Sequence, residues 1–536
     1  MAAHPYPHKS EQLRSPLDSA YVLAAPRCGR SSLFDSRSCG IVPVVLELMA
    51  PSRDWPRRGL VVVAFVAWFG CGFAIWGDTQ SHEVVAIKPA ASALPTPDTV
   101  RAVAVEPVEL HVTHSSEVAA EPARYPSYVA RPEDAALGPT PIENAERLDY
   151  YFSKLTLTEL RLPGAITRAG HWGDSVLGGD GLTESIRRRL QERFGDAGHG
   201  FHIMGKYNRW YSHRGLRYEE VRPWDSCLII FKCQRDTMRY GYGGVTSTAR
   251  AKAVSRFQTM ATNPPPGIGA SVSRFELWYQ KRPDGGGFEI RVDGQVAKVV
   301  NTQAAAISDD VEIVRVPDGQ HSFEVATTDS GVARAYGVVM ERDGPGVVWD
   351  ELSLIGSFTQ RLDYQDAEHL AGQMRHRNLD LMVFILGGND LSRENTDLKR
   401  TTDPYEQEYA RVIRKFRAGK PEASCMIMSV TDHAQHVGDA IVSRSIVARL
   451  AAAQRQVAQR EGCAFFDTFG LMGGAGTVER WRKANPPLAA PDLRHPTLQG
   501  QRHIANAVYR ALMSAYASYR KRHEGEALPV ASLSER

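Results

Sequence analysis

Three short segments, far apart along the chain, carry the residue types that acyl-transfer chemistry needs. Ser175 ends a Gly-Asp-Ser tripeptide, Asn389 lies in Gly-Gly-Asn-Asp, and His495 follows Asp492 by three positions. A serine hydroxyl can act as a nucleophile, an imidazole can accept its proton, and a carboxylate can orient the imidazole. An amide side chain can donate a hydrogen bond to the oxyanion that forms during attack. Together these residues predict a serine-dependent site that cleaves esters.

Each of these signals has an ordinary structural alternative when it is taken alone. Ser175 could cap a helix, Asn389 could turn the chain, and Asp492 with His495 could be a surface pair in a loop. Gly356 could lend a backbone amide to the oxyanion, as could Ser175 itself, although many glycines serve only as turns. The prediction therefore depends on the combination, and on finding each residue at the end of a predicted strand.

The surrounding sequence predicts a parallel sheet whose strands end at these residues. Apolar runs at 165–173, 379–386, 425–430 and 463–467 are typical of buried strands. Helical spacing of apolar residues follows at 182–194, 405–416, 441–460 and 497–519. Strands that alternate with helices favour a three-layer α/β/α domain, and such sheets place functional residues where the strands end.

The stretch 199–345 has a different pattern. Short strand-like runs are separated by turn signals such as Asp293-Gly294, which predicts an antiparallel β-sandwich inserted into the α/β domain. Trp278 and Tyr279 lie in one of these runs, where they could stack on a sugar or belong to the core. The predicted layout is a hydrolase part at 144–198, the β-sandwich insert at 199–345, a second hydrolase part at 346–520 and a tail at 521–536.

The segments at 173–175, 387–390 and 492–495, with Gly356 in Leu-Ile-Gly-Ser, resemble the sequence blocks of the SGNH (GDSL-like) hydrolase family. The resemblance covers about 165–198 and 346–515. It implies a flavodoxin-like α/β/α fold and ester hydrolysis without a metal or cofactor. It also implies that Ser175 is the nucleophile, that Asp492 and His495 complete the catalytic set, and that Ser175, Gly356 and Asn389 form the oxyanion hole. The chain departs from the family pattern at Ile355, where related members often have Asn.

The position of the insert is similar to that in bacterial cell-wall O-acetylesterases of this superfamily, which carry a carbohydrate-binding-like domain there. This likeness implies an acetylated polysaccharide or glycan as substrate, with peptidoglycan as one candidate. Three other functions stay open at this point. The same site could transfer acetyl to a sugar hydroxyl, it could belong to a lipase or thioesterase, or the protein could bind or assemble glycans without catalysis.

The N-terminal region predicts a membrane anchor. Residues 60–76 form an apolar run that follows three arginines at 53, 57 and 58, so we expect a transmembrane segment at 59–77 with the body outside the cytoplasm. For a bacterial protein this means the inner membrane, with a periplasmic catalytic domain. A cleaved signal peptide is the alternative. Residues 1–58 have no globular pattern, Met49 is a candidate true start, and the Pro- and Ala-rich residues 78–143 are typical of a tether.

Composition excludes some partners. A net charge of +3 over 536 residues gives no case for a concentrated basic surface, so we expect no nucleic-acid partner. We also expect the protein to be a monomer. Seven cysteines are too few for a disulfide scaffold; Cys227 and Cys233 could pair in an oxidising compartment or be unrelated buried thiols. His433 and His436 could suggest a metal, but no cysteine or carboxylate lies near them at ligand spacing, so we expect none.

Overall fold

The computed structural model describes residues 123–134, 140–234, 237–250, 252–260, 267–328, 331–395 and 401–530. The predicted anchor, the candidate start at Met49 and most of the predicted tether lie outside these ranges. Within the described ranges no helix is both long enough and apolar enough to cross a bilayer. All described residues belong to one compact unit, His111–Arg536.

The helices and strands are numbered in chain order. The α-helices are α1 (Asp149–Glu159), α2 (Gly181–Phe194), α3 (Ala367–Arg377), α4 (Asp403–Arg417), α5 (Ile446–Arg460), α6 (Thr468–Met472), α7 (Thr477–Lys483) and α8 (Leu498–Arg522). The strands are β1 (Ile166–Gly173), β2 (Gly198–Ile203), β3 (Leu216–Arg222), β4 (Asp225–Leu228), β5 (Val245–Ala249), β6 (Val254–Thr259), β7 (Val272–Lys281), β8 (Gly287–Val292), β9 (Gln295–Asn301), β10 (Ser308–Gly319), β11 (Ser322–Thr327), β12 (Ala333–Glu341), β13 (Gly346–Ser353), β14 (Leu381–Ile385), β15 (Ser424–Met428), β16 (Ala434–Val437), β17 (Ala440–Ser443) and β18 (Ala464–Phe466).

A five-stranded parallel sheet forms the centre of the hydrolase domain. Its spatial order is β13-β1-β14-β15-β18, which is 2-1-3-4-5 in the order of the hydrolase strands along the chain. This is the flavodoxin-like order, in which the strand sequence reverses between β1 and β14. The predicted α/β fold is therefore present, and the strand ends that carry Ser175 and Asn389 are neighbours at the reversal point.

Helices cover both faces of this sheet because its strands are apolar on both sides. In β14, Met382 and Phe384 pack in the cluster that includes buried residues of α3, α4 and α5. Val383 and Ile385, which point the other way, pack with α1, α2 and α8. The result is the three-layer arrangement that the sequence predicts.

The insert is an antiparallel β-sandwich, as the sequence predicts. One sheet has the order β10-β7-β12-β5-β4, with β2 also paired to β12, and the other has the order β3-β6-β11-β8-β9. Inward-facing aromatic residues fill the space between them; Phe275 of β7 stacks on Phe323 of β11 at 4.4 Å between ring centroids. Trp278 and Tyr279 are 0% and 3% exposed, so they belong to the core and offer no sugar-stacking surface.

Three local features differ from the sequence predictions or were left open by them. The helix predicted over 441–460 starts too early: residues 441–443 belong to β17, which forms a hairpin with β16, and α5 begins at Ile446. Residues 123–134, within the predicted tether, lie against the end of α8, where Tyr125 shares a 2.6 Å hydrogen bond with Tyr519. The described part of the chain contains the disulfides Cys227–Cys233 and Cys425–Cys463.

Candidate active site

The turn after β1 presents the predicted nucleophile. A Cβ on Gly173 would lie 2.6 Å from the side chain of Leu177 and 2.8 Å from that of Ile385, so the close packing of this strand end requires glycine. Asp174 is buried, and its two carboxylate oxygens accept hydrogen bonds from the amides of Val176 and Gly388, each at 3.0 Å. Asp174 thereby fixes the turn that carries Ser175 to the loop that follows β14.

Ser175, His495 and Asp492 form a continuous hydrogen-bonded chain. The Ser175 Oγ lies 2.7 Å from His495 Nε2, and His495 Nδ1 lies 2.6 Å from Asp492 Oδ2. With Nδ1–H donating to the carboxylate, Nε2 presents its lone pair to the serine hydroxyl. The structure therefore brings together the three residues in the geometry that proton transfer from Ser175 needs.

The loop before α8 gives Asp492 and His495 their relative position. Leu493 has a left-handed φ of 63°, which is uncommon for a bulky residue, and the turn it makes folds the carboxylate back toward the imidazole. The other carboxylate oxygen, Oδ1, accepts the backbone amides of Arg494 and His495 at 3.0 and 3.1 Å. Thr497 then caps α8 by accepting a hydrogen bond from the amide of Gly500.

The electrostatics of the loop favour an ionised Asp492. Partial burial raises the pKa of this carboxyl, but the hydrogen bonds from the His495 ring and from the two backbone amides outweigh that effect and bring the pKa below its usual range. An ionised carboxylate stabilises the positive charge that the imidazole gains when it takes the serine proton. The side chains of His495 and Asp492 are 39% and 49% exposed, so a substrate can reach them from solvent.

The two predicted oxyanion donors outside the nucleophile turn lie on adjoining loops. Asn389 follows β14, and its Nδ2 donates to the carbonyl oxygen of Ser357 at 3.0 Å, next to Gly356. Gly356 has a φ of +84°, which favours glycine, in the turn that follows β13. An amide nitrogen carries two hydrogens, so one N–H of Asn389 remains for an oxyanion. Asp390 is buried and holds this loop in place by accepting from the amide and the hydroxyl of Thr359, both at 2.9 Å.

A second histidine lies in the site without having been assigned to it from the sequence. His433 lines the same pocket as Ser175 and His495, and it is 7% exposed. Burial lowers its pKa to about 3, so the ring is neutral. His436, considered with it as a metal ligand, lies on the exposed part of the β16–β17 hairpin. No cluster of three or more His, Cys, Asp or Glu side chains suited to a metal ion occurs in the described part of the chain.

A loop of the insert contacts the hydrolase beside the site. The Tyr207 hydroxyl donates to the carbonyl of Ser353 at 2.6 Å and accepts from the amide of Ile355 at 3.1 Å. The carbonyl of Trp210 accepts from the amide of Gly179, shortly after the nucleophile, at 3.1 Å. Trp210 is 63% exposed. The loop that carries Tyr207 and Trp210 thus contacts both the turn of Ser175 and the turn of Gly356. No local sequence signal predicts this contact, because the loop lies outside the sequence segments of both turns.

Comparisons with known proteins agree with this geometry. Residues 325–503 match the family model of the GDSL-like lipase/acylhydrolase family. A solved structure of a peptidoglycan O-acetylesterase matches with a TM-score of 0.57 and 20% sequence identity, over 69% of this chain and 96% of that chain. At this identity the likeness concerns the fold alone. The comparison with curated protein sequences gave no match.

Two further solved structures have TM-scores too low to carry an argument. One is a salicylyl-acyltransferase from a tetracycline biosynthetic pathway, with a TM-score of 0.24 and 15% identity over 55% of this chain and 94% of that chain. The other is an acetylxylan esterase from Geobacillus stearothermophilus, with a TM-score of 0.24 and 19% identity over 31% and 73% of the two chains. The family match over residues 325–503, the 2-1-3-4-5 sheet and the converging Ser175, His495 and Asp492 support an SGNH-type carboxylic ester hydrolase, and its fold resembles that of a peptidoglycan O-acetylesterase.

Proposed function

We propose that this protein removes O-acetyl groups from a polysaccharide outside the cytoplasm, through an acyl-enzyme on Ser175. The observation that carries the proposal is the chain of hydrogen bonds from Ser175 through His495 to Asp492, at 2.7 and 2.6 Å. It supplies a nucleophile, a base and an orienting carboxylate at a site that solvent reaches.

The reaction has two balanced halves. In the first, the Ser175 oxygen bonds to the ester carbon while His495 Nε2 takes the hydroxyl proton, and the carbonyl electron pair moves onto the oxygen that faces Asn389 and Gly356. The bond to the sugar oxygen then breaks, and that oxygen takes the proton from His495. In the second, water repeats the attack on the acyl-enzyme with the same base, and acetate leaves while Ser175 regains its proton.

Two observations support a glycan as the alcohol part of the substrate. The solved structure that shares this fold at a TM-score of 0.57 is that of a peptidoglycan O-acetylesterase. In addition, the insert loop places the exposed Trp210 beside the nucleophile turn, with the Arg209 guanidinium 5.0 Å from its ring centroid. An exposed aromatic side chain beside a catalytic cleft offers a face on which a sugar ring can pack.

An oxidising compartment suits the cysteines of the body. Disulfides such as Cys227–Cys233 and Cys425–Cys463 persist outside the cytoplasm and are rare within it. The apolar segment predicted at 59–77 would hold the body at the outer face of the inner membrane. Both points favour a substrate in the periplasm or cell wall.

The test is acetate release from O-acetylated peptidoglycan and from acetylated xylan by the purified protein. We expect release by the wild type and a loss of at least about 10⁴-fold in Ser175→Ala, because the nucleophile is removed while the fold is kept. Ser518→Ala, an exposed serine on α8, serves as the matched control and should retain full activity. Transfer of acetyl to an added glycan in place of acetate release would indicate an acyltransferase, and inactivity of the folded wild type would leave a glycan-binding role.

A further inference from the structure

The rim of the catalytic cleft carries basic side chains for which the described residues supply no carboxylate partner. Arg494 directly precedes His495, is exposed, and lines the catalytic pocket together with Ser175. Its guanidinium forms no ion pair within the described ranges. Burial, and after it the neighbouring charges that include Arg494, lower the pKa of His433 on the pocket wall. The charge of Arg494 therefore acts on the pocket itself.

A second set of basic side chains lies on the loop of the insert that contacts the hydrolase. Residues 204–215, between β2 and β3, include Lys206, Arg209 and Arg214 and no Asp or Glu. All three are exposed, and none forms an ion pair in the part of the chain that the structure describes. The Arg214 Nε donates to the carbonyl of Gly179 at 2.8 Å, which holds this cation against the end of the nucleophile turn.

These cations lie on both sides of the nucleophile. The insert loop contacts the turn after β13, through a hydrogen bond from the amide of Ile355 to the Tyr207 hydroxyl. The pocket wall near Arg494 includes His433, which lies in the loop after β15. Since β1 and β14 lie between β13 and β15 in the sheet, Ser175 lies between the two basic groups.

The carboxylates near the nucleophile do not neutralise these cations. Both oxygens of Asp174 accept backbone amides, and the residue is 4% exposed. Asp492 is engaged by the His495 ring and by two backbone amides. Glu351 is 1% exposed, and burial raises its pKa to about 8, so it is largely uncharged at neutral pH. An anion that approaches the cleft therefore meets a positive potential.

We propose that the cleft binds a glycan that carries carboxylates, and that Arg494 and Arg209 each receive a carboxylate beside the reacting ester. The inference rests on the proposed function and names the chemical class of its glycan. A guanidinium presents its N–H donors in a planar fork that matches the two oxygens of a carboxylate. The Arg209 guanidinium lies 5.0 Å from the Trp210 ring centroid, so the loop offers a sugar-packing face and an anion partner together. The carboxylate belongs either to an acidic sugar or to a peptide attached to a sugar, and both present the same group.

The experiment measures how glycan fragments inhibit the hydrolysis of nitrophenyl acetate by the full-length protein. One pair of inhibitors is oligogalacturonate and its carboxamide, and the other is a peptidoglycan disaccharide-peptide with free and with amidated carboxylates. We expect the inhibition constant of the free acid to be lower than that of the amide by at least about fivefold at low ionic strength, as for one or two exposed ion pairs. The ratio of the two constants should approach one as the ionic strength rises from about 0.01 M to about 1 M, because the Debye length falls from about 30 Å to about 3 Å.

Substitutions of the two arginines locate the binding. Arg494→Gln and Arg209→Gln should each lower the amide-to-acid ratio of inhibition constants by about two- to fivefold. Arg494→Lys keeps the charge without the fork, so its ratio should lie between those of the wild type and Arg494→Gln. An inhibition constant does not depend on the fraction of folded enzyme, so a loss of fold would not imitate these changes. Arg375→Gln, exposed in the last turn of α3 that leads to the start of β14 at the other edge of the sheet, is the control and should keep the wild-type ratio.

Three results would overturn the proposal: equal inhibition by the acid and amide forms at low ionic strength, no inhibition by either pair, or an unchanged ratio in the Arg209→Gln/Arg494→Gln double variant. A preference for the free acid in the galacturonate pair alone would support an acidic sugar as the ligand, and a preference in the peptide pair alone would support the peptide carboxylate. The assay uses a small neutral ester, so a failure to release acetate from acetylated glycans would contradict the proposed function without altering this ratio.

Discussion

Two buried glutamates, Glu341 and Glu351, lie at the junction between the hydrolase sheet and the β-sandwich, and their surroundings are opposite. Glu341 is 0% exposed and contacts three arginines: Arg168 at 2.8 Å, Arg377 at 2.5 Å, and Arg274. Glu351 is 1% exposed; its Oε1 accepts the amide of Ser353 at 3.1 Å, and its Oε2 has no hydrogen-bond partner within the described ranges.

The pKa values follow from these surroundings. Burial raises the pKa of Glu341, but its arginine partners outweigh that effect and hold the pKa well below the usual range. For Glu351 burial dominates and the charge of Asp180 adds to it, so the pKa is raised to about 8. Glu341 is therefore ionised throughout the physiological pH range, whereas Glu351 is largely protonated at neutral pH.

The difference separates a structural joint from a reactive edge. Within β13, Asp350 is paired as completely as Glu341: its two oxygens accept from Arg377 at 2.8 and 2.7 Å, and from the amide of Phe201 and the hydroxyl of Tyr242. Glu351 is the next residue of the same strand and points to the other face of the sheet, where its Oε2 has no hydrogen-bond partner within the described ranges. The pairs of Glu341 and Asp350 hold the insert to the sheet, whereas the edge that carries the catalytic residues leaves one N–H of Asn389 for an oxyanion.

The largest effect should be a loss of stability when the buried ion pairs of Glu341 are broken. Glu341→Gln removes the charge that three arginines share, and breaking a buried ion pair costs about 3–5 kcal/mol because the remaining charges lose compensation. We expect the urea midpoint of unfolding to fall accordingly while activity per folded molecule on nitrophenyl acetate stays near that of the wild type. Glu479→Gln, in an exposed pair with Lys483 on α7, should leave the midpoint unchanged. A Glu341 variant as stable as the wild type would show that the joint does not depend on these ion pairs.

The catalytic residues could be predicted from the sequence because their signals are local. Ser175, Asn389 and the Asp492–His495 pair each lie within a few residues of the end of an apolar run or the start of a helix, so a short window contains both the residue and the element that positions it. The same holds for the parallel strands, whose apolar runs reflect burial on both faces.

The missing parts depend on contacts between distant segments. Glu341 forms ion pairs with arginines of β1, β7 and α3. The sequence around Glu341 does not predict these pairs, because the three arginines come from distant segments. His433 follows β15 as Asn389 follows β14, but its place beside Ser175 and His495 depends on contacts between distant segments. The Cys425–Cys463 disulfide joins a residue within β15 to the residue before β18, 38 positions apart. The sequence predicts that α5 starts at 441 and not at Ile446, because the apolar residues of β17 continue the helical spacing of the residues that follow.

A smaller effect, on kcat, is expected when Asn389 at the catalytic edge of the sheet is replaced. Asn389→Ala removes the amide that faces the oxyanion, and loss of such a donor lowers kcat by about 10²–10³-fold, or about 2.7–4 kcal/mol in the barrier. KM should change little because the interaction strengthens only as the charge develops. Asn301→Ala, an exposed asparagine of β9, serves as control. A drop in the unfolding midpoint as large as that of the Glu341 variant would contradict the distinction between joint and edge, because Asn389 would then hold the fold.

The smallest effect should appear in the pH dependence of stability, and it concerns Glu351. Because its pKa is raised from the usual value near 4.5 to about 8 in the folded protein, the folded state holds a proton that the unfolded chain has already lost. This contribution to stability is fully present below about pH 4.5 and declines until about pH 8, by about 1.4 kcal/mol per pH unit. Glu351→Gln cannot ionise, so between pH 6 and pH 7 the wild type should lose about 1.4 kcal/mol of unfolding free energy relative to the variant. Urea unfolding of both proteins at the two pH values measures the difference; parallel pH profiles would mean that Glu351 is ionised in the fold and that the contrast with Glu341 does not exist.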